Sequence, residues 1–133
     1  MGLSFHYNGK IKDMNLIPAL VDEVQDVCKV LDWKWHLFDD ADFRGICFSP
    51  RECEPVFLTF NNTVKLASPI LWQYKIEPIT TIATKTQFAG IETHIAVIKL
   101  LKHLKARYFS EFDMSDEGEY WETDDEVLLK KKL

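Results

Sequence analysis

Two stretches of the chain repeat apolar residues at helical spacing, and several others alternate apolar with polar. Ile17, Leu20, Val21, Val24, Val27, Cys28 and Leu31 recur at intervals of three and four, which predicts an amphipathic helix over roughly residues 16–31. Its other face carries Asp22, Glu23, Asp26 and Lys29 and is expected to be solvated. Asp13 and Asn15 both suit the N-cap. Pro18 falls in the first turn, where its missing N–H is harmless. A second helical pattern spans residues 87–109. His94, Val97, Ile98, Leu101, Leu104 and Tyr108 form one stripe, with Glu92, Lys99, Lys102, His103 and Arg107 opposite. Lys102, Lys105 and Arg107 near its end suit the helix dipole.

The alternating segments read as strands. Residues 3–7 alternate and are rich in aromatics, and Asn8-Gly9 signals a turn. Residues 33–38 and 45–48 follow as strands, separated by Asp39, Asp40 and Asp42. Pro55 opens a strand over residues 56–60, and Asn61-Asn62 turns it back into residues 64–66. Residues 70–76 and 79–84 are predicted strands split at Pro78. Residues 109–114 form the last predicted strand, and residues 119–122 a strand or loop. Asp124 is expected to cap a short final helix ending in Lys130, Lys131 and Lys132.

Tight turns make neighbouring strands antiparallel. Two helices cannot cover both faces of such a sheet. The expected fold is therefore α+β: a single curved antiparallel sheet of about five to seven strands with two long helices packed on one face. No repeat, linker or low-complexity tract interrupts the chain, so residues 1–133 read as one domain. Its 133 residues with 47% apolar and 13% aromatic composition are enough for a core.

Charge and cysteine content narrow the function classes. A net charge of −5 argues against general nucleic-acid binding, which needs a positive face. No apolar run approaches the roughly 18–20 residues that span a bilayer. The first residues lack the basic-then-apolar pattern of a secretory signal. Cys28, Cys47 and Cys53 are an odd set without zinc-ligand spacing, so reduced thiols in a cytoplasmic protein are expected, with no metal and no cofactor.

Chemistry-bearing residues converge in the last third. His94 sits on the apolar stripe of the second helix. It reads either as a base or ligand whose tautomer a carboxylate from Asp116, Glu117 or Glu119 would set, or as a buried histidine in a structural network. The pattern favours the structural reading. Nine carboxylates lie between Glu111 and Glu126. Asp113, Asp116, Glu117 and Glu119 could gather a hard cation, but their spacing departs from the EF-hand pattern and a solvated loop is favoured. Tyr120 and Trp121 within that run imply one buried face, as a clamp for the tail or as a contact surface. Thr84, Thr86 and Gln87 either cap the second helix or rim an anion site at its N-terminus. Neither phosphate-loop glycine pattern nor a nucleophile elbow is present. A pairing of Cys47 or Cys53 with His94 has no local support.

Three segments, Thr86-Gln-Phe-Ala-Gly90, His94-Ile95 and Asp116-Glu-Gly-Glu-Tyr-Trp-Glu-Thr123, together resemble a small family of bacterial proteins of about this length. The resemblance covers roughly residues 84–126. It implies no activity and draws attention to Gln87, His94, Glu119 and Trp121.

The expected function is a small cytosolic, non-catalytic binding or interaction module whose partner is another protein or a second copy of itself. One alternative is a small hydrolase-like enzyme using His94 with Glu119, with Thr86, Gln87 and Trp121 as ligand contacts. Another is anion or small-ligand binding at the N-terminus of the second long helix.

Overall fold

The computed structural model describes residues 3–69, 81–86 and 88–132. The strand expected over residues 70–76, the start of that over 79–84, and Gln87 lie outside the described residues. The strands are β1 (Ser4–Ile11), β2 (Lys34–Asp39), β3 (Arg44–Ser49), β4 (Val56–Phe60), β5 (Ile82–Lys85) and β6 (Phe109–Asp116). Among the described residues the helices are α1 (Ile17–Leu31), α2 (Ile91–Tyr108), α3 (Tyr120–Thr123) and α4 (Glu126–Lys132).

Helical periodicity located the two long helices. A short 3-10 turn, Met14–Leu16, leads into α1, and the Asp13 carboxylate accepts the Asn15 N–H. Ile17, Leu20, Val24 and Cys28 are buried as the stripe requires, but Leu31 at its end is exposed. Asp32 ends α1 in the left-handed conformation and donates its N–H to Cys28 O. In α2 every stripe residue from His94 to Tyr108 is buried. The helix starts later than its pattern, at Ile91, with Gly90 as N-cap and no side-chain cap. Of residues 119–122, expected as strand or loop, Glu119 is the N-cap and the other three belong to the short helix α3. Asp124 closes α3 with a left-handed residue. The cap of α4 is instead Asp125, whose carboxylate accepts the Leu128 N–H at 3.0 Å.

The class is α+β, but the expectation of a single sheet is corrected. The described strands form two three-stranded antiparallel sheets, ordered β5-β1-β6 and β2-β3-β4. The segment Val64 to Ala67 joins them instead of extending one ladder. Leu66 N–H donates to Gly9 O and Ala67 N–H to Thr59 O, so this strip touches β1 on one side and β4 on the other. It makes only isolated bridges, at Lys65 and Leu66. Val64 carries a positive φ of 63°, which breaks the extended run after the Asn61 turn. Tyr7 fastens the same seam: its hydroxyl donates to Phe57 O and accepts from Phe57 N.

The placement of both helices on one sheet is corrected as well. α1 packs on β3 and β2, whereas α2 packs on β6. Each sheet carries its own helix, and one continuous core unites them. Glu23 on α1 links the helices, accepting from the Tyr108 hydroxyl and lying 3.3 Å from Arg107 and 3.2 Å from His103. Burial raises the Glu23 pKa, but the Tyr108 and His103 hydrogen bonds and the Arg107 charge outweigh it and hold the carboxyl below its ordinary value.

Gly45 in β3 shows how closely β4 approaches. Its φ is 142°, and a Cβ there would lie 2.1 Å from Leu58 O. Gly45→Ala is expected to lower stability by more than about 1 kcal/mol, since the backbone is both strained and crowded. A urea midpoint unchanged from that of the original chain would refute this.

Candidate functional site

Asp116, the last residue of β6, is where the chemistry of the last third gathers. The chain turns sharply after it, and its carboxylate accepts the N–H groups of Gly118 at 2.8 Å and of Tyr120 and Trp121 at 3.0 Å. It therefore caps α3 from the preceding strand. Gly118 fits because a side chain there would meet Leu129 and Leu3. The carboxylate also faces His94 on α2, with Nε2 at 3.0 and 3.1 Å from its two oxygens. The other ring nitrogen, Nδ1, lies 2.7 Å from the Thr86 hydroxyl. Thr86 Oγ1 also lies 3.3 Å from Leu3 O, which can accept its proton.

An ionised carboxylate only accepts, so Nε2 carries a proton in this arrangement. Nδ1 then accepts from Thr86, or donates to it while the hydroxyl donates to Leu3 O. Both ring nitrogens are satisfied in either case. Thr86, His94 and Asp116 are buried, and the His94 and Asp116 side chains are both 0% exposed. Burial raises the Asp116 pKa, but hydrogen bonding and charge from His94, with the N–H groups of Trp121 and Gly118, outweigh it. The carboxyl is held below its ordinary value of 3.8.

The structure brings together His94, Thr86 and Asp116 and leaves the other sequence candidates apart. Glu119, paired with His94 in the enzyme alternative, instead lies 3.0 Å from Lys132 at the surface. Its backbone is left-handed at the start of α3, which turns the side chain away from the core side of Asp116. Thr86 lines no rim, because its hydroxyl is used inside the core. Glu117 accepts from the Ser4 hydroxyl, and Asp113 lies exposed on β6. Among the described residues no three His, Cys, Asp or Glu side chains form a metal-binding group. The thiols offer no ready nucleophile: burial pushes Cys28 and Cys53 up to about 11 and raises Cys47 as well.

Tyr120 is buried, while Trp121 is half-buried against Phe112, with ring centres 5.5 Å apart. Lys102 and Lys105 each lie 5.5 Å from the centre of the Trp121 ring. These residues border a groove of about 390 Å³ with Phe109, Ser110 and Phe112. Lys102 reaches Asp124 at 2.7 Å, so the acidic tail already answers part of this charge.

The second surface feature is β2, and sequence reasoning passed over it. All of its residues are exposed except the half-buried Phe38. Trp35 is 40% exposed and Leu37 48%. Their cross-strand partners Phe48 and Ile46 are buried on the same face. Trp35 and Leu37 thus prolong the core face past the end of the sheet. The legible signal was Trp35-His36-Leu37-Phe38, apolar on both faces with no charge between Lys34 and Asp39.

No protein-family model, curated protein or solved structure matches the chain. No helix among the described residues is long and apolar enough to cross a membrane.

Asp116→Ala would strand the His94 N–H and three backbone N–H groups in the core, and is expected to lower stability by roughly 3–5 kcal/mol in urea unfolding at neutral pH. A carboxyl whose folded pKa is depressed stabilises the fold above its unfolded value, and that stability is lost as pH falls through the folded value. The contribution of Asp116 is thus complete above 3.8 and fades below it. Stability of Asp116→Asn, measured by urea unfolding from neutral pH down through this window, should fall less steeply than that of the original chain. Parallel acid limbs would show that Asp116 is not the source.

Proposed function

We propose that this domain is a non-catalytic interaction module and that the free edge of β2 is its docking surface. The observation that carries the reading is the contrast between two edge strands, β6 and β2. β6 bears Glu111 and Asp113 among its exposed positions, charges of the kind that discourage strand addition. β2 bears Trp35, His36 and Leu37 exposed along its middle. No described strand pairs with its outer side. An exposed, apolar strand with one edge unpaired is the geometry that accepts another strand through main-chain hydrogen bonds.

The enzyme alternative draws less support. A His–carboxylate pair works on a substrate only if the substrate reaches it. Here the imidazole and carboxylate face no solvent, and every polar atom of both has a partner within the fold. Anion binding at the start of α2 loses Thr86 as a contact. The Trp121 groove is crossed by its own lysines, one of them bound to Asp124.

A photo-crosslinking benzoylphenylalanine placed at Trp35, and separately at Glu111 on β6, tests the reading in cells that express the full chain. Discrete adducts are expected from position 35 and none from position 111. Equal labelling from both edges, or none from either, would remove β2 as the docking surface.

A further inference from the structure

We infer that the edge of β2 is occupied by β2 of a second copy of this chain, antiparallel, with Leu37 on the two-fold axis. The inference rests on the reading of β2 as the docking edge. The Asp40 N–H donates to Phe43 O at 3.0 Å, which continues the β2–β3 ladder into its turn. Asp40 therefore points its main chain toward β3. Hydrogen-bonding direction alternates along a strand, so Lys34, His36 and Phe38 also point inward. Trp35, Leu37 and Asp39 present their N–H and C=O groups to the open side.

A two-fold axis perpendicular to a sheet keeps each residue on its own face, so it must pass through a residue position. Centred on Leu37, it sets Leu37 against Leu37 of the second copy and Trp35 against Asp39 of the second copy. Every outward main-chain group of β2 then has a partner. Centred on His36, it would set Asp39 against Trp33 of the second copy. The Trp33 N–H is already donated to Cys28 O, so that register leaves polar groups unmatched.

Charge selects the same arrangement. Lys34 and Asp40 lie at opposite ends of the segment. Antiparallel pairing about Leu37 places Lys34 across from Asp40 of the second copy, twice. Parallel pairing would align like charges. Hydrogen bonds from Phe43 and Asp42 fix the Asp40 carboxylate in place. Apolar contact follows the same geometry. Leu37 meets its own copy, and Trp35 lies diagonal to Leu37 of the second copy on the same face. The result is one six-stranded sheet running through both molecules, closed by symmetry and leaving no exposed β2 edge.

Sedimentation equilibrium of the full chain should show a monomer–dimer equilibrium. Leu37→Lys should sediment as a monomer at the same concentrations, with an unchanged circular dichroism spectrum because Leu37 is half exposed. Paired residues at such an axis lie about 5.5 Å apart between Cα atoms, within the disulfide range. In a Cys47→Ser, Cys53→Ser background, Leu37→Cys should therefore form a covalent dimer on mild oxidation faster than His36→Cys or Trp35→Cys. Faster cross-linking of His36→Cys would overturn the register. A wild-type chain that is monomeric at every concentration would overturn self-pairing. If position 35 still labelled a different protein, the docking reading would stand without it, and if it labelled nothing, both would fall.

Discussion

The Asp116 carboxylate is the constraint on which the C-terminal third depends. A buried carboxylate is tolerated only when donors surround it. Here the donors come from the imidazole of α2 and from the backbone of the turn into α3. One group therefore sets the end of β6, the entry to α3 and the orientation of His94. Through Thr86 and Leu3 the network reaches the start of β1 and the end of β5. Four segments, from Leu3, Thr86, His94 and Asp116, meet at one polar knot inside an apolar core. A partly satisfied knot of this kind would cost more than an apolar core.

The completeness of this network moves the search for function to the surface. A histidine with a carboxylate neighbour resembles catalytic machinery in chemical type, but solvent access and unspent hydrogen-bonding capacity separate a working pair from a structural one. Among the described residues, β2 keeps main-chain capacity unspent along one edge, with an apolar margin beside it. That margin exists because the described strands divide into two small sheets. Each sheet has its own helix, and a three-stranded sheet has a high proportion of edge. β6 answers its edge with carboxylates, whereas β2 offers aromatics.

Much of this architecture was legible in the sequence, and the parts that were not share a cause. The stripe of α2 placed His94 in the core correctly because helical periodicity is a local property. The bounds of β4 followed from Pro55 and the Asn61-Asn62 turn for the same reason. The sheet was harder. Residues 64–66 read as a hairpin partner, and whether they extend a ladder or bridge two sheets depends on β1, more than fifty residues away in sequence. Leu31 continued an apolar stripe and still emerged at the surface, because the stripe says which side faces inward but not how far the covering sheet extends.

The choice of carboxylate makes the same point. Composition and spacing put Asp116, Glu117 and Glu119 within reach of His94, and the sequence by itself determined that an acidic turn would follow the last strand. Only the tertiary structure chose Asp116. Its side chain points inward from the end of β6, and the left-handed backbone at Glu119 turns that residue out toward Lys132. Local pattern determines which residues share a face. Which of them meet is decided by long-range packing, where burial makes one polar partner necessary and leaves the others to water.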